Sequence, residues 1–353
     1  MRVGGRSFRA FLAFGLMLHA VVAVAQEPSP APAAGPVRGG TALPLKVFAD
    51  RCFIPVTLNG TVQCEAILDT GSEATLLNRA RVEVKDLRPA GAVQLQGSQV
   101  GALGAESVLL DSLAIGACVL RNVPVGAIRH GKGQTLEMLD LILGMDVLRP
   151  RRFTCDFENQ RFVLWEPKTE LPKPAAGIER LRLALGRSSS DPGTRPWVNG
   201  TVNGKLRALF LVDTGAGPVV LLSLKKPEEC DVPLTGPPCA VVSANDGGNT
   251  KRLSLFRATL AKFELDRMAF ENVPAEVLDA SPVVGPLLRQ ELGCTYNVIG
   301  TTFLKTLKAV HFDLPGRALY LDRAAPGAAP EKGAAKAEGK APDEEGLQIG
   351  PRQ

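Results

Sequence analysis

Ala66-Ile67-Leu68-Asp69-Thr70-Gly71-Ser72 and Phe210-Leu211-Val212-Asp213-Thr214-Gly215-Ala216 decide how this chain is read. In each stretch an apolar run carries a carboxylate straight into a glycine turn. Such a run reads as a buried strand, and an Asp at its end is costly to desolvate. A chain that does this twice, at matching places, points to joint use of the two carboxylates.

The matches extend outward from both stretches. Asn59-Gly60 lies ten residues before Asp69, and Asn203-Gly204 lies ten before Asp213. Alternating apolar residues flank each pair (Val56, Leu58 and Val62; Val198 and Val202), which predicts a hairpin with an Asn-Gly turn. Asn122-Val123-Pro124 and Asn272-Val273-Pro274 each follow a strand-like stretch, 108–115 and 256–263. Later, Ile142-Leu143-Gly144 matches Val298-Ile299-Gly300. The best helix signals are the short segments just beyond, 145–149 and 302–307. Each half closes on amphipathic strands, 153–157 and 161–164 in the first, 310–313 and 318–321 in the second. The offset between halves grows from 144 at the Asp to 150 at Asn-Val-Pro and 156 at the late Gly. Features kept in order with a drifting offset are what a duplication with loop insertions leaves. A period of roughly 150 residues makes the copies domain-sized rather than solenoid repeats.

The rest of the chain frames these two copies. Aromatics are scarce at 5%, while Gly (36) and Pro (27) are plentiful among 353 residues, which favours short strands and turns. Arg2, Arg6 and Arg9 precede a run from Ala10 to Val24 that is apolar except at His19, and Ala23-Val24-Ala25 is a small-residue cleavage site. Residues 1–25 therefore read as a signal peptide, whose apolar core of about 15 residues falls short of the roughly 20 of a membrane helix. The mature chain is expected to be exported, periplasmic or secreted, without stable membrane insertion. Without Arg2, Arg6 and Arg9, 38 basic residues face 36 acidic ones. That excess is too small to argue for nucleic acid or an anionic membrane surface. Residues 26–43 form a Pro/Ala-rich linker, 44–166 and 180–323 the two domains, and 167–179 the joint between them. Residues 324–353 form a tail expected to be disordered. All seven Cys follow the signal. Cys230 and Cys239, bracketing a Pro/Gly loop, are the best disulfide pair, and the odd count leaves at least one thiol over. Cys64, Cys118 and Cys155 read equally well as buried free thiols.

Two Asp-Thr-Gly triplets, each after an apolar run and each followed later by an aliphatic-aliphatic-Gly strand, resemble the aspartic proteases of the pepsin and retropepsin clan. The resemblance spans residues 44–323. It implies an all-β fold of two retropepsin-like β-barrels related by internal duplication, with a cleft between them. It implies that Asp69 and Asp213 are the catalytic pair and that Thr70 and Thr214 exchange hydrogen bonds between the halves. Gly71 and Gly215 would let the backbone turn beneath the carboxylates, and the strands ending in Gly144 and Gly300 would cross behind the two loops. Ser72 is expected to hydrogen-bond the outer oxygen of Asp69. Ala216 cannot do this for Asp213, so the two Asp should differ, and which of them carries the proton stays open. Gly-rich flaps over the cleft are expected at 91–104 and 243–250. Neither Tyr296 nor Tyr320 falls in one, which places the chain nearer to retropepsins than to pepsins.

The implied activity is hydrolysis of peptide bonds in a peptide or protein substrate, with no cofactor and no metal. That chemistry needs one base to activate water and one acid to protonate the carbonyl oxygen. Two carboxylates serve only if one is protonated. At about 3 Å and an effective dielectric near 20, two negative charges repel by about 5.5 kcal/mol, or roughly four pKa units. That magnitude is general to aspartic-protease dyads, not particular to this chain. Other chemistries are poorly served. Beyond the signal only His130 and His311 remain, and no Cys/His spacing reads as zinc. There is no phosphate loop and no Gly-x-Ser-x-Gly elbow. Three rivals fit the same residues. One is a non-catalytic peptide-binding module of the cell envelope, holding peptides by strand pairing. Another is a homodimer pairing Asp69 with Asp69, in place of a monomer. The third is a structural envelope protein tethered by its Pro/Ala segments.

Overall fold

The computed structural model describes residues 9–12, 36–85, 87–97, 101–128, 139–169, 171, 178–185, 195–217, 220–224, 226–234, 236–246, 249–279 and 297–323. His130, Cys294, Tyr296 and the tail from residue 324 lie outside them.

Each half begins with the hairpin its residues call for. Arg51–Leu58 pairs antiparallel with Val62–Leu68, and Pro196–Val202 with Leu206–Asp213. Asn59 and Gly60 turn with φ of 47° and 73°, Asn203 and Gly204 with 50° and 69°. Asn and Gly reach this left-handed region at low cost. Burial alternates along Arg51–Leu58, with Cys52, Ile54, Val56 and Leu58 inward. The alternation stops at Ala66-Ile67-Leu68, all buried, where the strand is central and both its faces are covered.

Six strands close the first barrel. In order these are Arg51–Leu58, Val62–Leu68, Leu141–Leu143, Leu76–Asn78, Cys118–Ile128 and Gly101–Ile115, the last returning to the first at Thr57↔Ala114. The second barrel repeats the ring with Pro196–Val202, Leu206–Asp213, Asn297–Gly300, Val220–Leu224, Met268–Asp279 and Asn249–Leu265, closing at Val202↔Phe263. A closed ring leaves no unpaired edge among its members. The all-β, two-barrel architecture implied by the family resemblance is the one observed. Among the described residues, α-helix is confined to Met145–Leu148 and Thr301–Leu304. The flap segments form antiparallel hairpins, Arg88–Gly97 with Gly101–Ile115 and Ala240–Asp246 with Asn249–Leu265. Their tips, 98–100 and 247–248, lie outside the described residues. Arg9–Leu12, within the expected signal peptide, pairs in parallel with Arg88–Gly97.

Three expectations are corrected. The closing strands do not complete the barrels of their own halves. Arg152–Asp156 and Ala309–Asp313 pair antiparallel with each other and found a seven-stranded sheet drawn from both halves. Four of the five residues in each strand are buried, so neither suits a solvated edge, and each twin covers the other. Phe153 stacks on Phe312 with ring centroids 4.5 Å apart, and Arg152 Nε meets Asp313 Oδ1 at 2.8 Å. The same sheet takes in Gly40–Pro44 and Ile178–Arg182, so residues 40–43 and 178–179 are strand and not linker. Cys230 and Cys239 are both free. Cys230 packs into the main core, while Cys239 joins a separate apolar cluster around Trp197 and Leu255 and turns its Sγ onto Leu255 O at 3.2 Å.

At the centre of the shared sheet, Thr154 stands opposite His311. Thr154 Oγ1 accepts from Trp165 Nε1 at 2.8 Å and shares a second hydrogen bond of 2.8 Å with His311 Nδ1. His311 Nε2 is buried without a partner among the described residues. Burial pushes this imidazole below its ordinary pKa, against the opposite pull of Asp322 and Asp156. The folded chain therefore keeps His311 neutral at a pH where the unfolded chain protonates it, from about pH 6.5 downward. Its contribution is fully present above that pH and is lost as pH falls, at up to about 1.4 kcal/mol per pH unit. In thermal melts taken from about pH 7 to about pH 5, His311→Phe is expected to lose less stability than wild type. Parallel curves for the two proteins would remove His311 from the acid response.

Candidate active site

The two Asp-Thr-Gly loops meet where the barrels face each other. Leu141–Leu143 lies between Val62–Leu68 and Leu76–Asn78, so it passes behind the loop joining them. Asn297–Gly300 does the same between Leu206–Asp213 and Val220–Leu224. Asp69 N–H donates to Leu143 O at 3.1 Å, and Asp213 pairs in register with Gly300. The short helices then pin the loops, with Met145 N–H donating to Ser72 O and Thr301 N–H to Ala216 O, each at 2.8 Å. A β carbon on Gly144 would overlap the Ala74 carbonyl, so glycine is what allows this strand so close to the loop.

Backbone donors hold both carboxylates from beneath. Asp69 Oδ1 accepts from Gly71 N–H at 3.0 Å and Ser72 N–H at 2.8 Å. Asp213 Oδ1 accepts from Gly215 N–H at 2.8 Å and Ala216 N–H at 3.1 Å. The threonines exchange hydrogen bonds across the seam. Thr70 Oγ1 donates to Val212 O at 2.6 Å and accepts from Thr214 N–H at 3.1 Å. Thr214 Oγ1 donates to Leu68 O at 2.7 Å and accepts from Thr70 N–H at 3.2 Å. Both threonines are fully buried. The Asp69 carboxyl rests on the glycine of the other half, where a β carbon on Gly215 would lie 2.6 and 2.7 Å from its two oxygens. Ser72 departs from its expected role. Its Oγ donates to Ala74 O at 2.8 Å and only its backbone N–H serves Asp69, because the turn directs the hydroxyl along its own loop.

The two carboxyls interact electrostatically and sit in unequal surroundings. Asp213 is buried, while Asp69 is partly exposed. Burial pushes both pKa values above the ordinary carboxylate range. At Asp213 the negative charge of Asp69 pushes further the same way, and Gly215 N–H and Arg195 only partly offset it. At Asp69 the N–H groups of Ser72 and Gly71 pull back, as do the neighbouring Asp213 carboxyl and the charge of Arg51. These opposed influences raise Asp213 more than Asp69.

Two residues near the pair escaped the reading of the sequence. Arg51 and Arg195 are 144 residues apart, the same offset as Asp69 and Asp213, and that spacing was the available signal. Each arginine reaches into the loop of the opposite half. Arg51 Nε donates to Gly215 O at 3.2 Å, and Arg195 Nε lies 3.8 Å from Glu73 Oε1, both side chains buried.

A family model described as aspartyl protease matches residues 54–147 and 198–303, one region in each barrel and together more than half of the chain. The structure is similar to the crystal structure of an aspartic proteinase from Irpex lacteus, with a TM-score of 0.52 over 83% of this chain and 98% of that one. At 14% identity that likeness is one of fold. Among curated proteins, none matches the sequence.

Proposed function

The chain belongs to the aspartyl protease family, and we propose that it cleaves internal peptide bonds with a water held between Asp69 and Asp213. The observation that carries this reading is a pair of carboxyls, one from each barrel, on loops tied together by the two threonines, with burial raising both pKa values. As the water oxygen bonds to the carbonyl carbon, Asp69 takes its proton and Asp213 gives its own to the carbonyl oxygen. The diol so formed breaks its C–N bond when the nitrogen receives the proton from Asp69. A diol hydroxyl returns its proton to Asp213, so the pair ends as it began. Both acids come from one chain, which supports a monomer as the active unit, and the leader-like residues 1–25 support export.

The test is digestion of a broad peptide library in oxygen-18 water. New termini bearing one heavy oxygen on the carboxyl side are expected. Activity should follow a bell-shaped pH profile, rising as Asp69 ionises and falling as Asp213 does. Both limbs are displaced above the ordinary carboxylate range, the alkaline limb further. Stoichiometric peptide binding without new termini would instead make the cleft a binding module.

A further inference from the structure

The duplicated arginines are not equally provided for. Arg195 faces Glu73, four residues beyond Asp69, and the two are buried together. The matching position, four residues beyond Asp213, is Gly217. Arg51 therefore lacks the acid that its twin possesses. Its Nε donates to Gly215 O at 3.2 Å, and among the described residues no carboxylate forms an ion pair with it. The adjacent Asp50 is engaged by Lys305 at 2.7 Å. Arg51 is only partly exposed, and its charge acts on Asp69, so it stands beside the reacting pair. A guanidinium carries five N–H donors in a planar fork suited to a carboxylate. Held partly out of water near Asp69, it favours a charged acceptor more than a surface arginine does.

We propose that Arg51 is a specificity-determining residue that receives a substrate carboxylate on the Asp69 side of the cleft, so that the enzyme prefers anionic peptides. This rests on the protease reading given above. The carboxylate has two possible sources, a Glu or Asp side chain near the scissile bond or the free C-terminus of a short substrate. The same N–H donors suit both.

The experiment compares kcat/KM for matched peptides in the full-length protein. One series is C-terminally amidated and exchanges Glu for Gln position by position. The other keeps a neutral core and compares a free with an amidated C-terminus. Wild type is expected to favour the carboxylate-bearing member by about tenfold in one series, which names the source. Arg51→Gln should bring that ratio near one. Gly217→Glu should do the same by restoring the acid that Arg195 already has. Among the described residues, a β carbon there meets only Asp50, at 3.5 Å from its Cβ and 4.0 Å from its O, both ordinary contacts. Should Arg51→Gln fail to fold, Gly217→Glu decides alone. Cleavage by wild type without preference, or a preference that survives the substitutions, overturns the role of Arg51 and leaves the protease reading standing. Failure of wild type to cleave any peptide overturns both.

Discussion

Asp69→Asn and Asp213→Asn are each expected to lose peptide hydrolysis by about a thousandfold or more, while Asp213→Asn melts higher than wild type at neutral pH. The two results have one cause. In Asp213→Asn the amide oxygen can still accept from Gly215 and Ala216, and the amide NH2 can donate to Asp69 as a protonated acid would. The fold keeps its hydrogen bonds, but no acid remains to protonate the carbonyl oxygen. The sign of the stability change follows from the raised pKa of Asp213. The folded chain retains a proton that the unfolded chain releases above about pH 3.9, so wild type loses stability as pH rises through that window. Asparagine has no proton to release. Its advantage should be present at pH 7 and vanish below about pH 4. Melting curves at the two pH values, with kcat/KM on one cleaved peptide, check both halves. Substantial turnover in either variant would end the shared-proton mechanism.

Thr214→Val, nearly the same in shape, is expected to lower stability by about 2–5 kcal/mol. It leaves Thr70 N–H and Leu68 C=O unpaired in a fully buried place. An unmet buried donor or acceptor costs about 1–3 kcal/mol, far more than the net value of the bond it replaces. Thr70→Val should behave alike, since it strips Thr214 N–H and Val212 C=O. The loss should also reach catalysis, because these bonds fix how the two halves meet and so how the carboxyls face each other. Thr214→Ser retains the oxygen and should recover most of both effects. Urea titration of the three variants measures the loss. A valine variant within about half a kcal/mol of wild type would show that the seam is held elsewhere.

Much of this was legible because it is local. An Asn-Gly pair between alternating apolar residues has few conformations open to it, and both copies adopt the same positive φ values. An apolar run ending in Asp-Thr-Gly announces a strand that is covered on both faces. The repeat then does what a single motif cannot, since each half presents one acid and neither half explains its own. The exchange between the threonines was expected from the family resemblance, and their full burial is the reason each hydroxyl must find a partner.

Other features depended on what lies across the seam. The amphipathic strands 153–157 and 310–313 looked like the ends of separate barrels, and no pattern within either shows that its partner is its own twin. Cys230 and Cys239 are near in sequence, but the fold packs them into different apolar clusters. The hydroxyl of Ser72 was expected at Asp69 by position, yet its rotation is set by the Ala74 carbonyl. The two Asp-Thr-Gly triplets are alike, and it is burial and neighbouring charge that set Asp213 apart from Asp69. The chain alone determined two β-rich copies, each delivering one carboxylate on a glycine turn, because turn chemistry and apolar patterning act over a few residues. Tertiary structure decided which strands join the halves, how unequally the two acids are surrounded and which arginine meets an acid among the described residues, because those depend on packing, desolvation and Coulomb energy between residues far apart in the chain.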